Sequence, residues 1–221
     1  RVPAGDVVLL HGCCHNPTGA DLQPEHWDQI ADIALERGFI PFIDIAYQGL
    51  GQGLDADAYG LRMMADRLPE LLVASSCSKN FGLYRERTGS ITLVADSAEQ
   101  AKIVSAQSMS IARQIYSMPP AHGALLVSLI LGDDQLRANW QAELEEVRLR
   151  IKSMRTLLTD GINDNAAGMD FSHIKQQQGM FSFLGITSDQ LNRLRDEFAI
   201  YIVGSTRVNL AGINSTNIDN C

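Results

Sequence analysis

The chain has 221 residues, 45% of them hydrophobic, enough for one large domain or one and a half ordinary ones around a sizeable core. Its formal net charge is −8 and its Lys and Arg are scattered, which argues against nucleic acid or an anionic membrane as partner. No apolar run approaches the roughly 18 residues of a membrane span.

The opening "RVPAGD" is charged and turn-like, unlike a signal peptide. "VVLLH" (Val7 to His11) is a short β-branched apolar run, the pattern of a buried parallel strand. After the loop "GCCHNPTG", Pro24 stands where a first helical residue fits. Trp27, Ile30, Ala31 and Ala34 follow at helical spacing, and Gly38 ends the helix. Phe39 to Ile45 is the next strand, with Pro41 unusual for a central position. A helix is expected over Ala56 to Leu68, ahead of Pro69, and strands over Leu71 to Ser76 and Gly89 to Ala95. This alternation predicts an α/β domain with a largely parallel sheet.

Beyond Gly132 the character changes. Trp140, Leu144, Val147, Ile151, Met154 and Leu158 form one apolar seam on a long helix expected to end at Gly161, with Glu146 and Arg150 paired on its wet side. A strand in "GMFSFLG", a helix over Ser188 to Phe198, and short strands in "IYIV" and "RVNLAG" complete an α+β pattern. Two units are therefore expected, 1–146 from a large domain and 147–221 from a smaller one, joined by the long helix.

In an open parallel sheet, ligands bind past the carboxyl ends of the strands. There the sequence places "HNPTG", then Asp44 and Tyr47, then "SSCSKNFGLYRERTG". Asp44 ends an apolar strand, where a carboxylate is costly unless it is paired, so it serves either as a structural hydrogen-bond partner or as a holder of a cation. Lys79 follows a Ser-rich turn with Arg85 and Arg87 beyond it. It reads as a surface lysine or, in a partly dry cationic site, as a nucleophile toward carbonyls. Serine hydroxyls and arginine suit a phosphate. A lysine for a Schiff base, a carboxylate for a ring nitrogen and an anion grip are together what pyridoxal 5'-phosphate requires.

"HNPTG", "DIAYQG" and "SCSKNFGLYRERTG", followed by "ARQIYSMPPAHGA", "GMFSF" and "RVNLAG", resemble in that order the class I aminotransferases of fold type I, most closely the bacterial aspartate/aromatic branch. The resemblance covers essentially the whole chain. It implies a transaminase using pyridoxal 5'-phosphate, with amino acids and 2-oxo acids as substrates. Lys79 would hold the cofactor covalently and move the proton between the substrate Cα and the cofactor. Asp44 would pair with the ring nitrogen, and Asn16 and Tyr47 would hydrogen-bond the phenolic oxygen. Ser76, Arg87 and, more weakly, Ser78 would hold the phosphate. Arg207 would clamp the substrate α-carboxylate, with Phe181 and Asn16 lining the substrate side. Arg113 resembles the arginine that reaches a distal carboxylate from the neighbouring subunit of a homodimer.

Departures from the pattern accompany the resemblance. The family's upstream Gly/Thr phosphate turn, the aromatic residue that stacks on the ring and the tyrosine that reaches the partner's phosphate have no counterpart here. With a start at Arg1 and a stop at Cys221, a fragment is expected that binds cofactor poorly by itself. Two other readings stand beside transamination: a lyase or decarboxylase of the same fold type, which the pair Arg207 and Arg113 disfavours, and an inactive remnant. Four cysteines without repeat spacing (Cys13, Cys14, Cys77, Cys221) predict no disulfide framework and a reducing, cytoplasmic setting. No metal is expected at "HGCCHNPTG". Neighbours on an extended chain point to opposite faces, which separates Cys13 from Cys14. One thiol is expected to pack inward, with His11 and His15 hydrogen-bonded locally.

Overall fold

The structure, a computed structural model, describes residues 2–165, 169–214 and 216–218. Arg1 and Cys221, on which the expectation of a fragment falls, lie outside the described residues. Strands β1 (Val7–His11), β2 (Ile40–Ile45), β3 (Leu71–Ser76) and β4 (Gly89–Val94) form one sheet in that order. The first three are parallel and β4 returns antiparallel. Helices α1 (Pro24–Arg37) and α2 (Tyr59–Arg67) make the two parallel crossovers. Gly38 caps α1 in the left-handed conformation, as its position predicts.

Pro41 sits inside β2 without breaking the ladder. The Ile40 N–H goes to Asp6 O on the β1 side, so residue 41 turns its missing donor toward β3. The β2–β3 pairing begins only at Phe42, opposite Leu72. The expected helix over Ala56–Leu68 opens as a 3-10 turn (Ala56–Ala58) before α2, and Leu68 is its cap. β1 is parallel as expected but is an edge strand, and Val7 and Leu9 are more than half exposed.

Two helices that the sequence reading does not delimit follow β4: α3 (Ala98–Tyr116) and α4 (His122–Gly132). The long helix α5 (Asp134–Asn165) then runs 32 residues, about 48 Å at 1.5 Å per residue. It continues past the expected end at Gly161. Asn163, on that extra turn, accepts from the Phe171 N–H and donates to the Ser172 hydroxyl. Leu144, Ile151 and Leu158 of the seam are buried, but Val147 is exposed. The expected Glu146–Arg150 pair does not form. Arg150 instead donates to the carbonyls of Ala211 and Ile213, each at 3.0 Å, acceptors that a 3-10 turn (Leu210–Gly212) leaves open.

Past α6 (His173–Gln176), strands β5 (Phe181–Phe183) and β6 (Arg207–Asn209) pair antiparallel, with α7 (Ser188–Phe198) between them in sequence. Thr187 and Gln190 cap α7 reciprocally. "IYIV" is not a strand: residues 200–203 find no ladder partner among the described residues, and a strand needs one.

Candidate active site

The loops leaving β1, β2 and β3 emerge on one side of the sheet because those strands are parallel. Tyr47, buried after β2, is where they meet. Asn16 Nδ2 from the first loop donates to the Tyr47 hydroxyl at 3.4 Å. The Lys79 ammonium from the third stands 4.6 Å from the centroid of the Tyr47 ring. Burial pushes the Tyr47 phenol up from its ordinary value, against the hydrogen bond from Asn16.

Asp44 is half-buried at the end of β2, in register with His11 on one side and Ala74 on the other. Among the described residues its carboxylate has no hydrogen bond or ion pair. A partly desolvated carboxylate in that state is left wanting a cation or a donor.

Arg207 comes from β6, far along the chain. Its Nη1 donates to Asn16 Oδ1 at 3.1 Å, and the guanidinium lies 4.6 Å from the centroid of the Phe181 ring. Phe181 in turn meets Tyr47 edge to face at 6.2 Å. Lys79, Tyr47, Asn16, Arg207 and Phe181 thus form one unbroken run of contacts.

A second group gathers beside Lys79. The buried Ser78 N–H donates to Ser76 Oγ at 3.1 Å, and Arg87 Nη1 reaches Ser78 Oγ at 3.5 Å and Tyr84 O at 2.8 Å. Arg87 has φ 52, in the left-handed region. Arg113 is not brought to this place. It is exposed in the last turn of α3 and has no side-chain hydrogen bond or ion pair among the described residues.

The turn carrying Asn16 corrects the expectation for the cysteines. Cys14 has φ 51 and the Asn16–Pro17 peptide is cis, so the chain is not extended there. Both thiols are buried, and they lie with the Asp57 carboxylate within 4.8 Å of one another. These groups are otherwise occupied. Asp57 accepts from the N–H groups of Gly49, Gly51 and Gln52 at 2.7–3.0 Å. The hydrogen bond with Cys13, together with burial, pushes the Cys14 thiol up, and burial pushes the Asp57 carboxyl up. Asp21 accepts from the N–H groups of Cys14 and His15, and His15 Nδ1 meets Thr18 Oγ1 at 2.7 Å.

Sequence reasoning misses two supports. Trp140 donates from Nε1 to Asn80 O at 2.7 Å and stacks on Phe81 at 4.4 Å, tying the Lys79 loop to α5. Arg155 is buried on α5 and donates to the 174–182 segment. Its signal is a position four residues from Ile151 and three from Leu158, on the apolar seam. An apolar cavity of about 830 Å³ lies between α5, α7 and β6. Phe181 and Arg207 belong to its lining, but Asn16, Asp44, Tyr47 and Lys79 do not.

A family model described as aminotransferase class I and II matches residues 1–221. The chain belongs to the class I and II aminotransferases. It is 55% identical to an aspartate aminotransferase of Haemophilus influenzae over 214 residues, 97% of this chain and 54% of that one. It is 48% identical to an aromatic-amino-acid aminotransferase of Pseudomonas aeruginosa over 99% of this chain and 55% of that one. Its structure superposes with a TM-score of 0.96 and 43% identity on an aromatic-amino-acid aminotransferase from Burkholderia pseudomallei covalently bound to pyridoxal phosphate, covering 99% of this chain and 55% of that one. The chain therefore spans about half the length of the relatives it matches. The fold is the fold type I α/β arrangement of this family, with a mixed rather than wholly parallel sheet. No helix among the described residues is long and apolar enough to cross a membrane.

Proposed function

We propose that the full-length protein is a pyridoxal-phosphate-dependent aminotransferase that exchanges amino groups between aspartate or aromatic amino acids and 2-oxoglutarate, and that this chain carries its lysine and carboxylate-binding side. The observation that carries the reading is the half-buried Asp44 carboxylate, unpartnered among the described residues, in a site where Lys79, Tyr47, Asn16 and Arg207 meet.

The donor set fits the cofactor. Asp44 supplies a negative charge for a protonated ring nitrogen. Asn16 and Tyr47 supply donors for a phenolic oxygen. Ser76, Ser78 and Arg87 supply hydroxyl and guanidinium donors for a phosphate. Pyridoxal phosphate, when bound, supplies the electron sink for breaking the substrate Cα–H bond.

The chain's own residues do the rest. Lys79 would hold the cofactor covalently, and its amine, when free, would carry the proton from and to the substrate Cα. Tyr47 and Asn16 orient it, Tyr47 by the ring beneath the ammonium and Asn16 by holding the Tyr47 hydroxyl. Arg207 would bind the α-carboxylate through its planar fork, which lies 4.6 Å from the centroid of the Phe181 ring.

Residues 1–146 are assigned to the large cofactor-binding domain and 147–221 to the small one, with α5 joining them. The protein acts in the cytoplasm as a homodimer in which Arg113 reaches the neighbouring site. Supporting the dimer, Ile111, Ile115, Tyr116, Met118, Leu125 and Leu129 are more than half exposed on α3, α4 and the link between them, an apolar surface that water disfavours.

The test is the full-length protein loaded with cofactor. A visible absorbance band is expected, from a cofactor that borohydride fixes to the protein but not to Lys79→Ala, together with 2-oxoglutarate-dependent turnover of aspartate or phenylalanine. Fixation by borohydride that survives Lys79→Ala, or a loaded protein inert toward both amino acids, refutes the proposal.

A further inference from the structure

Arg155 is 2% exposed. Its guanidinium donates to Gly179 O from Nε at 3.0 Å and from Nη2 at 2.6 Å. Nη1 donates to Ile174 O at 3.0 Å and Ser182 Oγ at 2.5 Å. Nη2 also donates to Gln178 O at 2.9 Å and Phe181 O at 2.7 Å. Every one of these acceptors is neutral, and no carboxylate contacts Arg155 among the described residues. Burial lowers its pKa to about 10.

A buried cation without a counter-charge is unfavourable, and a leucine or methionine would satisfy the seam of α5 at no such cost. What an apolar residue lacks is the planar fork of donors. Here that fork draws the carbonyls of one irregular segment around a single point.

The clasped segment touches the Asn16 turn directly. Gln178 N–H donates to Gly19 O at 2.7 Å. A Cβ on Gly19 would stand 2.5 Å from Phe181 O, 3.0 Å from Gln178 O and 3.1 Å from Arg155 Nη2. The turn therefore packs against the arginine's acceptors with no room for a methyl group. The other end of each piece holds Arg207: Asn16 accepts from it, Phe181 lies beneath it, and it stands on β6 opposite Phe183.

We infer that Arg155 is a positioning residue for substrate-carboxylate binding: its fork sets the Asn16 turn against the Phe181 strand, and so fixes where Arg207 points. The inference rests on the aminotransferase reading and deepens it.

The test uses the full-length protein loaded with pyridoxal phosphate and succinate, a dicarboxylate with no amino or keto group to react. Binding is measured by calorimetry below the melting temperature of each variant. In Arg155→Met the dissociation constant for succinate is expected to rise about tenfold with the visible band retained. In an Arg207→Ala background the same change is expected to add little, because the group it positions is gone. Arg155→Lys, which keeps the charge but not the fork, is expected to fall on the side of Arg155→Met, and it serves the same comparison if Arg155→Met does not fold. Unchanged succinate binding in a folded variant overturns the inference, and so does a loss that adds in full to that of Arg207→Ala. An unsubstituted protein with neither band nor succinate binding sinks the aminotransferase reading itself, a result distinct from any difference between variants.

Discussion

The Arg207 guanidinium donates to Asn16 Oδ1 across 191 positions of sequence. One arginine is thereby aimed by a residue of the loop that also holds Tyr47. Its planar fork can still offer a carboxylate two parallel donors, which a lysine cannot. Arg207→Lys is expected to lower kcat/KM by about 1.5–3 kcal/mol of transition-state binding, the worth of a hydrogen bond to a charged group. Steady-state kinetics on the loaded full-length protein check this. The melting temperature should hardly move, because Arg207 is only half-buried.

Asp44 offers a sharper contrast between stability and rate. Its carboxylate has no partner among the described residues, so Asp44→Asn removes no native hydrogen bond. Unfolding of the cofactor-free protein in urea should be unchanged within about 0.5 kcal/mol. The rate should fall by about two to three orders of magnitude, as when a preorganised charge aimed at the transition state is removed. Equal losses in stability and rate would show that Asp44 is structural.

Trp140 fastens the Lys79 loop by one hydrogen bond and one ring stack. Trp140→Phe keeps the stack and drops the donor, leaving Asn80 O without this partner. A destabilisation of about 0.5–1.5 kcal/mol is expected in denaturant unfolding. Limited proteolysis should then cut within residues 77–88 sooner than in the unsubstituted protein.

His15 makes stability depend on pH. Burial, and secondarily the neighbouring His11, holds its pKa below the ordinary 6.5. In the interval between the folded and unfolded values, the unfolded chain binds a proton that the folded chain refuses. Stability is therefore whole above about pH 6.5 and is lost as the pH falls through that value toward the lower folded one. In urea titrations from pH 7.5 to pH 5, His15→Gln should show a shallower acid loss than the unsubstituted protein. An identical slope would remove His15 as the cause.

Much of the α/β half is legible in the order of residues. The bounds of β1, β3 and α7 and the Gly38 cap of α1 follow from β-branched runs, period-3.6 spacing and terminal residues, all local properties. The exceptions are local rules overruled by distant partners. Spacing pairs Arg150 with Glu146, four positions away, but its guanidinium finds the carbonyls of Ala211 and Ile213. "IYIV" has strand propensity but no neighbour to pair with among the described residues. An extended chain would oppose Cys13 and Cys14, but φ 51 at Cys14 brings both thiols inward.

By itself the sequence determined the order of strands and crossovers and the kinds of side chain at the carboxyl ends of β1, β2 and β3. Those depend on patterns a few residues long, and the parallel sheet puts the three ends on one side. Only the tertiary structure decided that Arg207 meets Asn16, that Trp140 pins the lysine loop, and that Arg155 lies buried with its donors spread over the 174–182 segment. Each of these joins parts of the chain that no sequence period connects. What sets them is the cost of leaving a buried donor or acceptor without a partner once the chain is packed.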